Sequence, residues 1–223
     1  MMRQDLQMRP RWRQDLAALV LAGLLAGAGG PATATQEYIL PTLFDVTGVA
    51  ANDVLNIRAA PDATASIIGQ LAPDARAIEV VAHDATGRWA QVNAGEQSGW
   101  VALRYLAYRV DVWGEDTLPP SLHCLGTEPF WSLRMQGDAL VLSTPDAPER
   151  VMQAAGVLSS GVFRDPRRAV SAMDGAGGLT AVIVPMACSD GMSDRAYGLD
   201  ATLILDGGGA QRMLTGCCTI APR

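Results

Sequence analysis

The sequence contains no lysine: all 17 of its basic residues are arginine, against 23 acidic residues and two histidines. The resulting net charge of −6 argues against nucleic acid and against anionic membrane surfaces as partners. Aromatic residues make up only 5% of the chain. A large core built on Phe and Tyr is therefore not expected, and Val, Leu, Ile and a few Trp must fill the interior.

The chain also lacks the residue patterns of familiar catalytic sites. It has no G-x-S-x-G, H-E-x-x-H, phosphate-loop or dinucleotide fingerprint. Its two histidines are His83, in a predicted hairpin loop, and His123, beside Cys124. A Cys–His nucleophile needs a free thiol, which an oxidising compartment disfavours. We therefore predict a protein that is not an enzyme and holds no cofactor or metal ion; an unrecognised hydrolase is the alternative.

No apolar run is long enough to span a bilayer. The longest, Leu16–Ala28, is shorter than the roughly 20 residues that a membrane helix needs. It follows four arginines and precedes the small residues Ala32-Thr33-Ala34, a pattern typical of a signal peptide over residues 1–34 that is cleaved after Ala34. We expect a periplasmic or secreted protein with no stable membrane span after cleavage. An uncleaved N-terminal anchor is the alternative.

Cysteine is absent from the N-terminal half, and the four that exist are Cys124, Cys188, Cys217 and Cys218. An even count in an oxidising compartment predicts disulfides. A bridge between the two adjacent cysteines would close a strained ring, and neighbouring side chains of a strand point to opposite faces. We expect Cys124 and Cys188 each to pair with one of the adjacent two, and which pairing forms stays open.

Residues 54–106 alternate between short apolar segments and turns, which is typical of a small all-β domain. The segment resembles the bacterial SH3-like (SH3b) domain. The resemblance rests on Leu55-Asn56-Ile57-Arg58-Ala59 with Pro61, on Ile68-Gly69 with Leu71, on the strand from Trp89 to Val92, and on Gly99-Trp100-Val101 with Tyr105-Leu106. It implies a small barrel over residues 50–108 that serves as a recognition unit, commonly for cell-wall peptide or glycan.

Five residues of this domain are candidates for ligand binding: Asn56, Arg58, Trp89, Trp100 and Tyr105. Aromatic faces stack on sugar rings or peptide planes, and an arginine can clamp the carboxylate of a stem peptide. If Val92 lies in the core, strand alternation places Trp89 on the surface unless a bulge intervenes. Core packing is the alternative role for both tryptophans.

The prolines Pro119-Pro120 predict a linker over residues 109–122. From residue 123 to residue 223 the periodicity again favours strands, with Gly161–Phe163 among the candidates. We predict a second antiparallel β barrel or sandwich of six to eight strands, framed by the disulfides. The whole fold is therefore expected to be all-β, with a small SH3-like barrel followed by this second domain.

Three motifs mark the second domain: CLGTEPFW from Cys124, CSDGMSDR from Cys188 with a nearby tyrosine, and GCC ending at Cys218. Together they resemble a family of uncharacterised bacterial envelope proteins, and this resemblance implies no activity. The residues that stand out in these motifs are Glu128, Trp131, Asp190, Asp194 and Arg195.

The two aspartates lack the spacing of an EF-hand calcium loop. We expect a turn with local Asx hydrogen bonds and an Asp–Arg pair. Metal or ligand binding is the alternative.

These observations predict an exported cell-envelope binding protein. Its SH3-like domain would recognise a peptide or glycan of peptidoglycan and position the C-terminal domain at the wall. The alternative is a periplasmic inhibitor or stress protein whose C-terminal domain binds another envelope protein.

Overall fold

The computed structural model describes residues 38–207 and 209–222. These residues contain sixteen β-strands and one short 3-10 helix. The all-β fold class expected from the sequence is therefore confirmed. Among the described residues, no helix has the length and apolar character needed to cross a membrane. The predicted signal peptide lies outside the described residues.

The N-terminal lobe, residues 38–108, contains two small antiparallel sheets. Its elements are β1 (Thr42–Val46), β2 (Leu55–Arg58), β3 (Ile67–Leu71), β4 (Ile78–Val80), β5 (Ala82–His83), β6 (Trp89–Ala94), β7 (Gln97–Ala102), a 3-10 helix (Leu103–Tyr105) and β8 (Leu106–Tyr108). One sheet has the order β3-β2-β7-β6-β5 and the other the order β4-β1-β8. The strand that precedes residue 50 thus belongs to this lobe, because β1 joins its smaller sheet.

Alternating residues of these strands build the core of the lobe. Val92 is only 1% exposed and packs with Phe44, Ile57 and Val101. Successive side chains of a strand point to opposite faces. Trp89, three residues before Val92 on β6, therefore lies on the outer face and is only partly buried.

The C-terminal part is a closed barrel of eight antiparallel strands. They are β9 (His123–Thr127), β10 (Phe130–Gln136), β11 (Ala139–Thr144), β12 (Ala147–Ser159), β13 (Arg168–Asp174), β14 (Gly177–Cys188), β15 (Tyr197–Gly207) and β16 (Ala210–Thr219). Neighbours in sequence pair with each other, and β16 closes the barrel on β9. The strand predicted at Gly161–Phe163 is wrong: these residues lie in the turn between β12 and β13.

Side chains fill the interior of the barrel. Leu140, Met152, Ile183, Leu199 and Leu203 are all essentially inaccessible to solvent. The core also contains small residues, such as Ala172, Ala181 and Ala201. They allow side chains from opposite walls of an eight-stranded barrel to pack against each other. This barrel has a packed core, and the gap among Leu133, Leu140 and Ile183 is too small to hold a water molecule.

Segment 109–122, for which the sequence predicts a linker, contains no strand but packs against the barrel. Val112, Leu118 and Leu122 are buried among the barrel's core side chains. The buried guanidinium of Arg168 donates to the carbonyl oxygens of Thr117, at 3.1 Å, and Gly114, at 2.7 Å. These contacts hold the segment in a defined path, which a flexible spacer does not have.

The lobe and the barrel also contact each other directly. Glu79 of β4 is buried and accepts hydrogen bonds from the Ile220 N–H, at 2.9 Å, and from the Thr219 hydroxyl. Asn93 of β6 exchanges two hydrogen bonds of 2.9 Å with the backbone of Ala196. Residues 38–223 accordingly cluster as one compact unit.

Candidate functional site

A tight turn fixes the position of Trp89 in the N-terminal lobe. The carboxylate of Asp84 accepts hydrogen bonds from the backbone N–H groups of Thr86 (3.1 Å), Arg88 (2.9 Å) and Trp89 (2.8 Å). Together with the bond from the Thr86 hydroxyl, these contacts lower the pKa of Asp84 to about 2. The turn is therefore held by a carboxylate that stays ionised through the physiological range.

Trp89 lines a surface groove of about 760 Å³. Four segments of the lobe supply the side chains that we consider most relevant to recognition. They are Tyr38, then Pro61 and Asp62, then Arg88 and Trp89, and finally Arg104. This volume is within the range of about 300–1,000 Å³ that small ligands occupy. An aromatic ring with charged neighbours suits a ligand that has flat and ionic parts.

Two exposed arginines give this groove an excess of positive charge. Arg104 lies over the ring of Tyr105, with its guanidinium carbon 4.7 Å from the ring centre, and donates to the phenol oxygen at 3.2 Å. Arg88 donates from Nε to the Thr86 hydroxyl at 3.2 Å. Each guanidinium keeps further N–H groups for a ligand, because five are available on every arginine.

Asp62 is the acidic residue of the groove. It accepts hydrogen bonds from the hydroxyl of Thr64, at 2.7 Å, and from its backbone N–H, at 2.6 Å, and these bonds lower its pKa. Asp62 thus shapes the loop that forms one wall of the groove. With two arginines and one aspartate, the groove has a net positive charge.

Residues 53–107 match the family model of the bacterial SH3 domain. The match confirms the resemblance drawn from the sequence for this part of the chain. Comparison with curated proteins and comparison with solved structures both gave no significant match. The resemblance of the C-terminal motifs to an envelope family stays a prediction.

Trp89 is the one predicted ligand residue of the SH3 domain that lines the groove. Arg58 and Trp100 face each other across β2 and β7, and Trp100 also pairs with Gln91 of β6. Because cross-strand partners share a face, Trp100 and Arg58 lie on the same outer surface as Trp89. Asn56 alternates with Leu55 and Ile57, which are buried, so it shares that surface.

Two other predicted residues hold groove residues in place. Arg58 donates to the Ala65 carbonyl at 2.7 Å, and this bond ties down the loop that carries Pro61 and Asp62. Tyr105 supplies the ring on which Arg104 lies. The sequence reasoning missed Arg88 and Arg104, although each directly flanks a residue that it had selected.

A second cavity, of about 600 Å³, lies where the first two C-terminal motifs meet. We call it the barrel mouth; its principal residues are Thr127, Phe130, Trp131, Met192, Arg195 and Tyr197. Trp131 is 4% exposed, and its indole N–H points to the Thr215 carbonyl at 3.3 Å. A Cβ on Gly216 would collide with the Leu125 carbonyl oxygen and would stand 2.8 Å from the Trp131 ring, so the glycine of the last motif lets β16 approach β9 closely beside the tryptophan of the first.

Asp190 organises the loop above Trp131. Its carboxylate accepts from the N–H of Met192 (3.0 Å), from the N–H and hydroxyl of Ser193 (2.9 and 2.8 Å) and from the phenol of Tyr197 (3.1 Å). Burial raises the pKa of Asp190, but these hydrogen bonds outweigh it, and the net pKa is lowered. Asp190 therefore forms a turn with local Asx hydrogen bonds.

Arg195 and Asp194 do not form an ion pair with each other. The guanidinium of Arg195 lies over the Tyr197 ring, 5.7 Å from its centre. Asp194 instead binds the SH3 hairpin through its backbone: its N–H donates to the Glu96 carbonyl, and its carbonyl accepts from the Ser98 N–H, both at 2.9 Å. This short parallel bridge anchors the loop on the β6–β7 hairpin.

Glu128 lies outside the barrel mouth, in an adjacent cavity of about 670 Å³ that it shares with Arg212. Thr127, Phe130 and Trp131 line both cavities. Within the described residues, no group of three or more His, Cys, Asp and Glu is arranged to hold a metal ion.

Two disulfides fix the strands around the barrel mouth. Cys124 of β9 pairs with Cys218 of β16, directly across the seam that closes the barrel. Cys188, at the end of β14, pairs with Cys217. The disulfides expected from the sequence are thus present, in one of the two pairings that it left open.

Proposed function

We propose that the protein is an extracytoplasmic, cell-envelope binding protein whose SH3 domain recognises peptidoglycan through the groove around Trp89. The two disulfides and the bacterial SH3 domain are consistent with a place outside the cytoplasm. The observation that carries the proposal is that Trp89, Arg88 and Arg104 line one groove of this domain.

Each groove residue has a role in this proposal. The Trp89 ring stacks on a sugar ring or a peptide plane, and the exposed guanidinium groups bind carboxylates of the stem peptide. Exposed ion pairs are weakened by salt. Binding through Arg88 and Arg104 should therefore decrease as ionic strength rises.

The test is co-sedimentation of the purified protein with insoluble peptidoglycan. Trp89→Ala and Arg104→Gln should each reduce the pelleted fraction several-fold. Arg76→Gln is the matched control, since Arg76 is an exposed arginine of the same lobe that pairs with Asp45 at 3.0 Å and does not line the groove. Failure of the wild-type protein to pellet, or equal losses for Arg76→Gln and Arg104→Gln, would contradict the proposal.

Trp100→Ala tests whether the recognition surface extends beyond the groove. Trp100 is partly exposed on the same outer face as Trp89. A loss of binding with Trp100→Ala alone would move the site from the groove to the centre of the sheet. A loss with Trp89→Ala alone would restrict it to the groove.

The second function predicted from the sequence, an inhibitor or stress protein acting through the C-terminal domain, stays a prediction. It is favoured by two large apolar side chains on the barrel mouth, Phe130 and Met192, which are 53% and 69% exposed. Retention of an envelope protein by the wild-type chain but not by Phe130→Ser would support it. The absence of enzyme activity also stays a prediction.

A further inference from the structure

We infer that the barrel mouth is a second binding site, for a small amphiphilic carboxylate: a molecule with an apolar body and one carboxylate group. This site is separate from the groove of the SH3 domain, and it rests on three observations. They are an arginine with no carboxylate within ion-pair distance, apolar walls that are open to solvent, and a loop that is held in place before any ligand arrives.

The first observation concerns Arg195. Its side chain is partly buried in the mouth, and its Nε atom is buried without a hydrogen-bond acceptor. Among residues 38–207 and 209–222, no carboxylate lies within ion-pair distance of its guanidinium. Charged groups withdrawn from water are normally paired, so this arginine is suited to an anionic group supplied by a ligand.

The acidic residues near Arg195 leave its guanidinium without an ion pair, and the buried Glu79 attracts it only over a longer distance. Asp190 is occupied by four donors from Met192, Ser193 and Tyr197. Glu96 lies at the exposed tip of the SH3 hairpin. A planar guanidinium can donate two parallel hydrogen bonds to a carboxylate. We therefore expect the charged group of the ligand to be a carboxylate.

The second observation is the apolar character of the walls. Phe130 and Met192 project from opposite motifs into the same cavity, and both are more than half exposed. The buried ring of Trp131 lines this cavity as well. A cluster of large, exposed apolar side chains usually indicates a binding site, because most of the surface of a soluble protein lacks such clusters. These side chains would contact the ligand's body.

The third observation is that the mouth is already formed. Asp190 fixes the turn from inside, the Asp194 bridge fixes it on the SH3 hairpin, and Cys188–Cys217 ties its start to β16. A preformed site avoids the entropic cost of ordering a loop on binding. Since side chains fill the barrel below Trp131, the ligand would lie in the open depression of about 600 Å³ above it.

The experiment is calorimetric titration of the purified full chain with two matched pairs of probes. Octanoate and phenylpropanoate carry the carboxylate; octanamide and phenylpropanamide have the same bodies without the charge. We expect the two acids to bind and each amide to bind at least tenfold more weakly. Failure of both acids to bind at millimolar concentration, or equal affinity for acid and amide, would overturn the inference.

Variants assign the binding to the barrel mouth. Arg195→Gln should weaken both acids at least tenfold and leave the amides unchanged. Arg167→Gln is the matched control, an exposed arginine of the same barrel that pairs with Asp165 at 3.7 Å and lies outside the mouth. Equal affinities for Arg195→Gln and the wild-type chain would refute the assignment.

Two further variants keep the test decisive if Arg195→Gln folds poorly. Met192→Ser removes an exposed apolar contact and should weaken acids and amides alike, without a change in melting temperature. Glu96→Gln removes a negative charge from the rim and should tighten the acids alone. Affinities that follow neither pattern would exclude the mouth as the site.

Discussion

Gly126 and Trp131 are directly opposite each other in the β9–β10 pair, and a Cβ on Gly126 would overlap the indole nitrogen of Trp131. The indole fills the space that the missing side chain leaves. The tryptophan of the motif CLGTEPFW can therefore pack in this position only because the residue opposite it is a glycine. This packing explains their spacing in the sequence.

Gly126→Ala should destabilise the protein by about 2 kcal/mol, the usual cost of overfilling a well-packed core. For a chain of this size that loss lowers the melting temperature by about 4–8 °C. The control is Gly175→Ala, because a Cβ at Gly175 meets no atom within 4 Å. Equal melting temperatures for the two variants would show that the indole moves aside at little cost.

Glu79 should make stability depend on pH. Burial raises its pKa above the usual 4.5, and the hydrogen bonds from Thr219 and Ile220 offset only part of this effect. Folding therefore favours the protonated form. The stability that this group contributes is fully present below 4.5 and is lost as pH rises through the pKa of the folded state.

The variant Glu79→Gln keeps an acceptor for the Ile220 N–H and cannot ionise. It should melt higher than the wild-type protein at neutral and alkaline pH, and the difference should shrink as pH falls toward 4.5. Thermal melts across this range measure the effect. Glu115→Gln, at an exposed glutamate, should show no such pH-dependent difference, and a parallel trend in both variants would exclude Glu79 as the cause.

Asp84 should matter for the groove more than for overall stability. Asp84→Ala removes the acceptor for the N–H groups of Arg88 and Trp89, so the proposed peptidoglycan binding should fall several-fold. Asp84→Asn keeps the side-chain oxygen and should retain most of the binding. Since the pKa of Asp84 is about 2, its protonation should not alter binding between mildly acidic and neutral pH.

The two disulfides should contribute unequally to stability. Cys188–Cys217 spans 29 residues and Cys124–Cys218 spans 94. In the chain-entropy model these loops correspond to about 3.6 and about 4.7 kcal/mol. Replacing each pair with serine should therefore cost more for Cys124–Cys218, as measured by urea unfolding. A larger loss for the shorter loop would indicate that local packing outweighs chain entropy.

Features that depend on local patterning could be predicted from the sequence. Alternation of Ala90 and Val92 with Trp89 and Gln91 indicates which face of β6 is buried, and the structure has Val92 in the core. The opposed directions of Cys217 and Cys218 excluded a bridge between them.

Contacts between distant segments could not be predicted in this way. Glu79 and Ile220 are 141 positions apart, and no periodicity connects them. The prolines of segment 109–122 predict an extended path, but they do not reveal that Leu118 and Leu122 are buried in the barrel core. Arg88 and Arg104 line one groove although they are 16 positions apart in the sequence, and strand alternation does not show that these two segments adjoin.

The β6–β7 hairpin runs from the groove to the barrel mouth. Strand β6 begins at Trp89 in the groove and ends at Ala94, and the turn after it carries Glu96 in the wall of the barrel mouth. At about 3.3 Å per residue, roughly 17 Å of strand separate the two cavities. The two cavities therefore lie at opposite ends of β6. A chain tethered to the wall by its groove would still have a free mouth with which to collect small molecules released nearby.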